Sequence, residues 1–120
     1  MAPAGPARLT RMKANSVPVV SPPPELTDDT VAVFEAELVA YMSAPGPGIV
    51  VDLDGVSFIS SSGLGCLVKI GMRLDGRGRR IALARPDRDV ERSLRMIGLE
   101  SKLPMFPSVE MARTHVIASA

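Results

Sequence analysis

Residues 58–65 constrain the fold of this chain more than any other stretch, because three consecutive serines stand there between two apolar segments of different period. Residues 49–53, which precede the serines, form a short β-branched run that is typical of a buried strand. After the serines, apolar residues recur at helical spacing, at Leu64, Leu67, Val68 and Leu74. The sequence therefore predicts a strand, a turn and a helix, with the three serines at the turn.

The predicted start of this helix has the chemistry to hold an anion. The first backbone N–H groups of a helix lack intrahelical acceptors and lie at the positive end of the helix dipole. A phosphate on Ser61 would lie in that field, so the turn is a candidate phosphate switch. Serines also cap helices for structural reasons alone, and Ser61 or Ser62 could serve only as a cap.

The order of the predicted elements indicates one α/β domain, which is the natural reading for 120 residues. Residues 1–11 are rich in Ala, Pro and Gly and lack any period, so they are predicted to form a flexible N-terminal tail. Strands are predicted at 12–20, 49–53, 80–84 and 102–106, and helices at 28–42, 62–74, 86–97 and 109–116. This alternation predicts a mixed, largely parallel sheet of four to five strands packed with about four helices.

Capping residues predict where these helices begin and end. Thr27 is the expected N-cap of the first helix, and Ser108 is the expected cap of the last. Gly98 stands where the C-terminal cap of the third helix belongs. The glycines of the second helix indicate close packing of its backbone, at Gly63, Gly65 and Gly71.

Composition excludes several classes of protein. The single cysteine rules out an intrachain disulfide, and the single histidine leaves no cluster for structural zinc. No apolar run approaches the ~20 residues needed to span a bilayer, and Pro3 and Pro6 interrupt the place of a signal peptide. A net charge of +1 without tryptophan disfavours general nucleic-acid binding. A cytoplasmic protein is expected.

The charges are unevenly distributed along the chain. Every charged residue in the segment 25–54 is acidic, whereas the segment 69–95 carries nine bases and four acids. These segments can be solvated helix faces, or they can form a docking surface for a charged protein partner. The sequence leaves both interpretations open.

The motifs for catalysis are incomplete, so we expect no enzyme, no cofactor and no metal. His115, the single histidine, is predicted to lie in the last helix close to a fraying terminus, which disfavours a catalytic triad. Gly63-Leu64-Gly65 lacks the third glycine of a dinucleotide fingerprint. Asp52 and Asp54 share one face of a strand but have no third ligand, and a polar strand end is the simpler interpretation. Cys66 is expected to be a small core residue.

Residues 50–67 combine a buried strand, a turn at Gly55 and the run Ser60-Ser61-Ser62-Gly63-Leu64-Gly65. This combination resembles the signature of the STAS domain, the family of bacterial anti-sigma factor antagonists. Further segments resemble the family in the same order, at residues 25–30, 79–83, 90–99 and 106–112. The resemblance covers residues 12–117, which are therefore expected to form a STAS domain.

The resemblance implies a phosphorylation switch. In that family an anti-sigma factor, which is a serine kinase with an ATPase-like fold, phosphorylates the serine that matches Ser61. Ser60 and Ser62 are the alternative acceptors, and Thr27 and Ser60 occupy positions where the family carries aspartates. The unphosphorylated form binds the kinase, which frees a sigma factor and so regulates transcription. The implied partner-binding residues are Thr27, Ser60, Ser61, Ser62, Gly63 and Leu64.

A second function is compatible with the same resemblance. Replacement of the two family aspartates favours a STAS interaction module that is not phosphorylated and that serves a signalling scaffold or a transporter. The sequence does not decide between the two functions, and it leaves the oligomeric state open.

Overall fold

The structure, a computed structural model, describes residues 17–119. Its strands are β1 (Val19–Val20), β2 (Glu25–Leu26), β3 (Gly48–Asp52), β4 (Phe58–Ile59), β5 (Arg80–Ala84) and β6 (Met105–Phe106). Its helices are α1 (Val31–Met42), α2 (Ser61–Asp75), α3 (Arg88–Met96) and α4 (Val109–Ser119). None of the helices in this described part is long and apolar enough to cross a bilayer.

Four strands form the main sheet in the order β1-β3-β5-β6, and all three pairings are parallel. β2 and β4 form a separate two-stranded parallel sheet. Parallel neighbours need crossover connections, and α1, α2 and α3 provide them. The predicted α/β class, largely parallel sheet and four helices are confirmed.

The core consists of two layers because successive residues of β3 point to opposite faces of the sheet. Ile49 and Val51 pack with the larger cluster, which includes the buried faces of α1, α2 and α3. Val50 packs on the other face with Ala112 and Val116 of α4. All five residues of β3 are buried, which explains the continuous apolar run of the sequence.

The first and last strands of the main sheet, β1 and β6, are shorter than predicted. The predicted tail, residues 1–11, and positions 12–16 of the first predicted strand lie outside the described residues. The predicted last strand, 102–106, is reduced to Met105–Phe106, because Lys102 and Leu103 instead donate their backbone N–H groups to the carbonyl of Leu99. The small β2–β4 sheet was not predicted, since strands of two residues show no measurable period.

The predicted start of the first helix was wrong. Instead of capping a helix from residue 28, Thr27 opens a turn whose carbonyl accepts the N–H groups of Thr30 and Val31, at 3.1 and 2.8 Å. Thr30 is the N-cap, although its side chain caps no helical N–H. Its hydroxyl instead donates to the carbonyl of Glu25 at 2.9 Å and accepts from the N–H of Thr27 at 2.9 Å. These local bonds compete with helix formation.

Candidate functional site

The three serines lie at the junction between β4 and α2, and the small sheet fixes its position. In that sheet Leu26 is paired with Ile59. One residue further, the N–H of Ser60 donates to the carbonyl of Leu26 at 2.8 Å. This bond ties the start of α2 to the segment that leads into α1, so the junction is held by two distant parts of the chain.

Ser60 is the N-cap of α2. Its backbone is extended, and its side-chain oxygen accepts a hydrogen bond from the N–H of Gly63 at 3.2 Å. Its carbonyl accepts from the N–H of Leu64 at 2.9 Å. The capping role considered for Ser61 or Ser62 therefore belongs to Ser60, and the helix begins one residue earlier than predicted.

Gly63 lets the helix start pack closely on the small sheet. A Cβ built on Gly63 would lie 2.8 Å from Cγ2 of Ile59 and 2.9 Å from Cγ of Leu26, closer than real side chains approach. Gly65 differs, because a Cβ there would meet nothing within 4 Å. Only one of these two glycines of α2 is thus required by close packing of its backbone.

Ser61 occupies the first helical position and is exposed. Its hydroxyl makes no hydrogen bond with any residue in the range 17–119. The N–H groups of Ser61 and Ser62 also lack an acceptor in that range, as is usual in the first turn of a helix. The N–H groups of Gly63 and Leu64 are instead bonded to Ser60. A phosphate attached to the free hydroxyl of Ser61 would thus lie near free backbone N–H groups and at the positive end of the helix dipole.

Ser62 is held by a carboxylate that sequence reasoning missed. Its hydroxyl donates to Oδ1 of Asp28 at 2.5 Å, across 34 positions of the chain. The resemblance implies family aspartates at the positions of Thr27 and Ser60, and in this structure Asp28 brings a carboxylate to the same junction. The signal that could have found it is the acidic pair Asp28-Asp29, which directly follows Thr27 in the sequence.

The remaining predicted site residues lie beside these serines. Thr27 is half-buried one residue after β2, and its hydroxyl accepts the N–H of Asp29 at 3.2 Å. Leu64 is half-buried and packs against the main core. Gly63 is buried and lies against Leu26. The structure thus gathers the six predicted residues at one junction.

An apolar groove adjoins the serines. It has a volume of about 300 Å³ and runs between the start of α2 and the face of α3. Its apolar lining comes from Phe58, Ile59, Leu64, Val90 and Leu94, and Ser57, Asp89 and Ser93 add polar groups at its edges. Phe58 is 53% exposed, so its ring is available to contact the surface of another molecule.

The carboxylates of Asp52 and Asp54 form a structural clamp. Asp52 is buried, and its two oxygens accept from Nε and Nη2 of Arg85 at 3.1 and 2.6 Å. Asp54 is exposed, with an oxygen 3.7 Å from the same Nη2. Burial alone would raise the pKa of Asp52, but the hydrogen bonds from Arg85 and from the N–H of Asp54 hold that pKa below its usual value. This arrangement supports the interpretation of a polar strand end.

Cys66 and His115, the other candidates for reactive groups, pack against neighbouring residues of the domain. Cys66 is buried, and burial raises the pKa of its thiol, which disfavours the reactive thiolate. The ring of His115 lies 4.8 Å from that of Phe106. Within residues 17–119, no three His, Cys, Asp or Glu side chains are grouped so that they could hold a metal ion.

The acidic and basic segments of the sequence meet between α1 and α2. An oxygen of Glu35 lies 2.6 Å from Nζ of Lys69. Arg79 donates to the carbonyls of Met42 and Gly46, at 2.5 and 2.9 Å, and so holds the end of α1. Part of the charge asymmetry therefore serves contacts within the domain.

Comparisons with known proteins identify the family of this chain. The family model described as STAS domain matches residues 11–112. No curated protein sequence matches the chain significantly.

Solved structures show the same fold. The chain is similar to the solution structure of TM1081, with a TM-score of 0.72 and 24% identity over 82% of this chain and 79% of that one. It is also similar to the crystal structure of TM1081 from Thermotoga maritima, a protein proposed to be an anti-sigma factor antagonist. That likeness has a TM-score of 0.68 and 25% identity, over 82% of this chain and 86% of the other.

A third similar structure is the murine anion transporter Slc26a9. Its TM-score is 0.70 at 19% identity, over 94% of this chain but only 20% of the transporter. This likeness concerns the fold alone, and the chain spans about a fifth of that protein.

Proposed function

This chain belongs to the STAS domain family, and from that premise we propose that it is an anti-sigma factor antagonist switched by phosphorylation of Ser61. The proposed partner is an anti-sigma factor that is also a serine kinase with an ATPase-like fold. We propose residues 12–117 as the domain that binds it, in the cytoplasm of a bacterium. The likeness to a protein proposed to be an anti-sigma factor antagonist supports this role.

The observation that carries the proposal is the difference between the three serines. Ser60 is used as a helix cap and Ser62 donates its proton to Asp28, whereas the exposed hydroxyl of Ser61 has no partner within residues 17–119. A kinase must reach a hydroxyl and align it with the terminal phosphate of a nucleotide. Ser61 is the serine that meets this requirement without breaking an existing bond.

The proposed docking surface combines polar and apolar parts. Thr27 and the residues from Ser60 to Leu64 supply the polar part, and the half-exposed ring of Phe58 with the adjoining groove supplies the apolar part. Buried aromatic anchors commonly dominate the energy of such interfaces. In the unphosphorylated state this surface binds the kinase, and the sigma factor is free.

Phosphorylation reverses the interaction through charge. A phosphoserine adds about −1.5 to −2 charges at neutral pH. At Ser61 this charge would lie in the middle of the proposed docking surface, where desolvation and repulsion oppose binding. The antagonist then dissociates, and the anti-sigma factor can bind its sigma factor again. The domain itself acts by binding and needs no catalysis of its own.

The test measures affinity for an ATPase-fold protein that co-purifies with the chain from its host. Ser61→Ala should bind like the wild type and accept no phosphate, whereas Ser61→Asp should bind at least about tenfold more weakly, equivalent to 1.4 kcal/mol. Ser101→Asp adds the same charge at an exposed loop position and should leave the affinity unchanged. Equal affinity of Ser61→Asp and the wild type would refute the switch.

A second candidate is a constitutive interaction module in a signalling scaffold or beside a transporter. Two observations favour it: the transporter Slc26a9 carries a segment of the same fold, and the positions of two family aspartates hold Thr27 and Ser60. Such a module would keep its partner in all growth conditions with residues 58–69 unmodified.

A further inference from the structure

We infer that Asp28 is a specificity-determining residue that restricts phosphorylation at this junction to Ser61, by keeping Ser62 from becoming an acceptor. This inference rests on the proposed function, because it concerns the same serines. Its physical basis is a contact between two segments that are far apart in the sequence.

Backbone hydrogen bonds hold the segment around Asp28 close to the start of α2. On the side of α1, the turn from Thr27 to Val31 is closed by two backbone hydrogen bonds onto the carbonyl of Thr27. On the side of α2, the bond from the N–H of Ser60 to Leu26 fixes the distance between the two segments. These backbone bonds hold the two segments close enough for Oδ1 of Asp28 to accept the hydrogen bond from the hydroxyl of Ser62.

The contact engages the group that a kinase needs. In phosphoryl transfer the serine Oγ forms a bond to the γ-phosphorus of a nucleoside triphosphate, and the bond from that phosphorus to the β–γ bridging oxygen breaks. A nucleoside diphosphate leaves, and the hydroxyl proton passes to a base of the kinase. A serine hydroxyl can donate one hydrogen bond, and the hydroxyl of Ser62 donates its hydrogen bond to Asp28.

The product of transfer to Ser62 would be more unfavourable still. The phosphate would replace a hydroxyl that lies 2.5 Å from a carboxylate oxygen, and two anions at such separation repel each other. Ser61 precedes Ser62 by one position, which turns its side chain about 100° around the helix. A phosphate there avoids the direct contact and lies next to free N–H groups.

The opposite role for Asp28 is chemically conceivable, since a carboxylate can accept a proton from an attacking hydroxyl. In that case Asp28 would promote phosphorylation of Ser62. The two roles predict opposite effects of removing the charge. Asp28→Asn keeps an oxygen that can accept the hydrogen bond and removes the negative charge, so it separates them.

The experiment uses phosphoserine placed genetically at position 61 or at position 62 of the full chain, so that no kinase is needed. Thermal unfolding is compared in three backgrounds: the wild type, Asp28→Asn, and Asp29→Asn as an exposed neighbouring control. Phosphoserine at 62 should lower the midpoint by about 5 °C in the wild type and in Asp29→Asn. Asp28→Asn should remove most of that loss, and phosphoserine at 61 should be insensitive to Asp28.

An equal loss for phosphoserine at 62 with and without the Asp28 charge would overturn the inference. A second measurement uses protein recovered from the host, where Asp28→Asn should gain phosphate on Ser62 relative to the wild type. Loss of phosphate from Ser62 in that variant would instead assign Asp28 as an activating base. If the wild type carries no phosphate at all, the proposed function fails, while the thermal comparison still tests whether the charge of Asp28 opposes a phosphate on Ser62.

Discussion

The β4–α2 and β5–α3 junctions solve the same structural problem with different chemistry. Each ends in an extended N-cap residue whose side chain accepts from the third N–H of the helix: Ser60 from Gly63 at 3.2 Å, and Asp87 from Val90 at 2.8 Å. The first turn of α3 also contains two acids, whereas the first turn of α2 contains none.

This difference shows how the chain divides anionic charge between two helices. The positive end of α3 is neutralised by its own cap and first turn, which is the usual stabilising arrangement. The positive end of α2 has a neutral cap at Ser60, an exposed hydroxyl at Ser61 and a carboxylate from Asp28 that contacts Ser62. The start of α3 is already neutralised by acidic residues, whereas the start of α2 leaves Ser61 free for the phosphate that we propose.

The largest expected effect concerns the close packing of the β4–α2 junction. Gly63→Ala should lower the free energy of unfolding by about 2 kcal/mol, because the new methyl group would overlap Ile59 and Leu26. Gly65→Ala is the matched control on the same helix, and it should raise stability by up to about 1 kcal/mol, since its methyl group meets open space. Urea unfolding measures both, and equal effects would contradict the packing account.

A smaller difference should separate the two caps. Asp87→Ala should cost about 1.5 kcal/mol, because it removes a short hydrogen bond and a charge at the helix dipole. Ser60→Ala should cost about 0.7 kcal/mol, because its bond to Gly63 is longer and uncharged. Raising the salt concentration should reduce the first cost more than the second. A Ser60 cap that is worth more than the Asp87 cap would break the comparison.

The smallest effect is the pH dependence of the clamp that precedes α3. The pKa of Asp52 is lowered: burial opposes this, but Arg85 and the N–H of Asp54 outweigh it. A carboxylate whose pKa is lower in the folded protein than in the unfolded chain stabilises the fold at pH values above its unfolded pKa of about 3.9. That stabilisation is lost as the pH falls through the pKa of the folded state. The stability difference between the wild type and Arg85→Gln should therefore be full at pH 7 and shrink below about pH 4.

Arg85→Gly provides the control for this measurement. Arg85 has a φ of +55°, which is unfavourable for a residue with a side chain and readily adopted by glycine. Both variants lose the ion pair with Asp52, but Arg85→Gly also relieves the backbone, so it should be more stable than Arg85→Gln at every pH. A difference between wild type and Arg85→Gln that is independent of pH would show that the clamp does not set the pKa of Asp52.

Most of the fold could be predicted because its main elements have strong periods. The continuous apolar run of β3 and the helical spacing of α2 indicated a parallel α/β architecture, and the cap at Ser108 was also correct. Gly98 ends α3 with a φ of +74°, directly after the C-terminal cap residue Ile97. The small β2–β4 sheet could not be predicted, since two-residue strands depend on pairing partners 33 positions apart in the register. The start of α1 was misplaced because Thr27 and Thr30 form equally good local bonds in a turn.

The candidate site was predictable in position but not in its internal assignments. The strand, turn and helix pattern located the serines, yet only the structure separates Ser60 as cap, Ser61 as the exposed hydroxyl and Ser62 as donor to Asp28. The contact with Asp28 spans 34 positions, so the acidic pair Asp28-Asp29 alone does not indicate that it reaches Ser62.

The measurement that tests the central claim most directly is mass analysis of the peptide 58–69, from protein recovered from its host with its bound partners. The account predicts phosphate on Ser61 in the free fraction, and an unmodified peptide in the fraction bound to an ATPase-fold protein. An unmodified peptide in both fractions, under all growth conditions, would contradict the switch and favour the constitutive module.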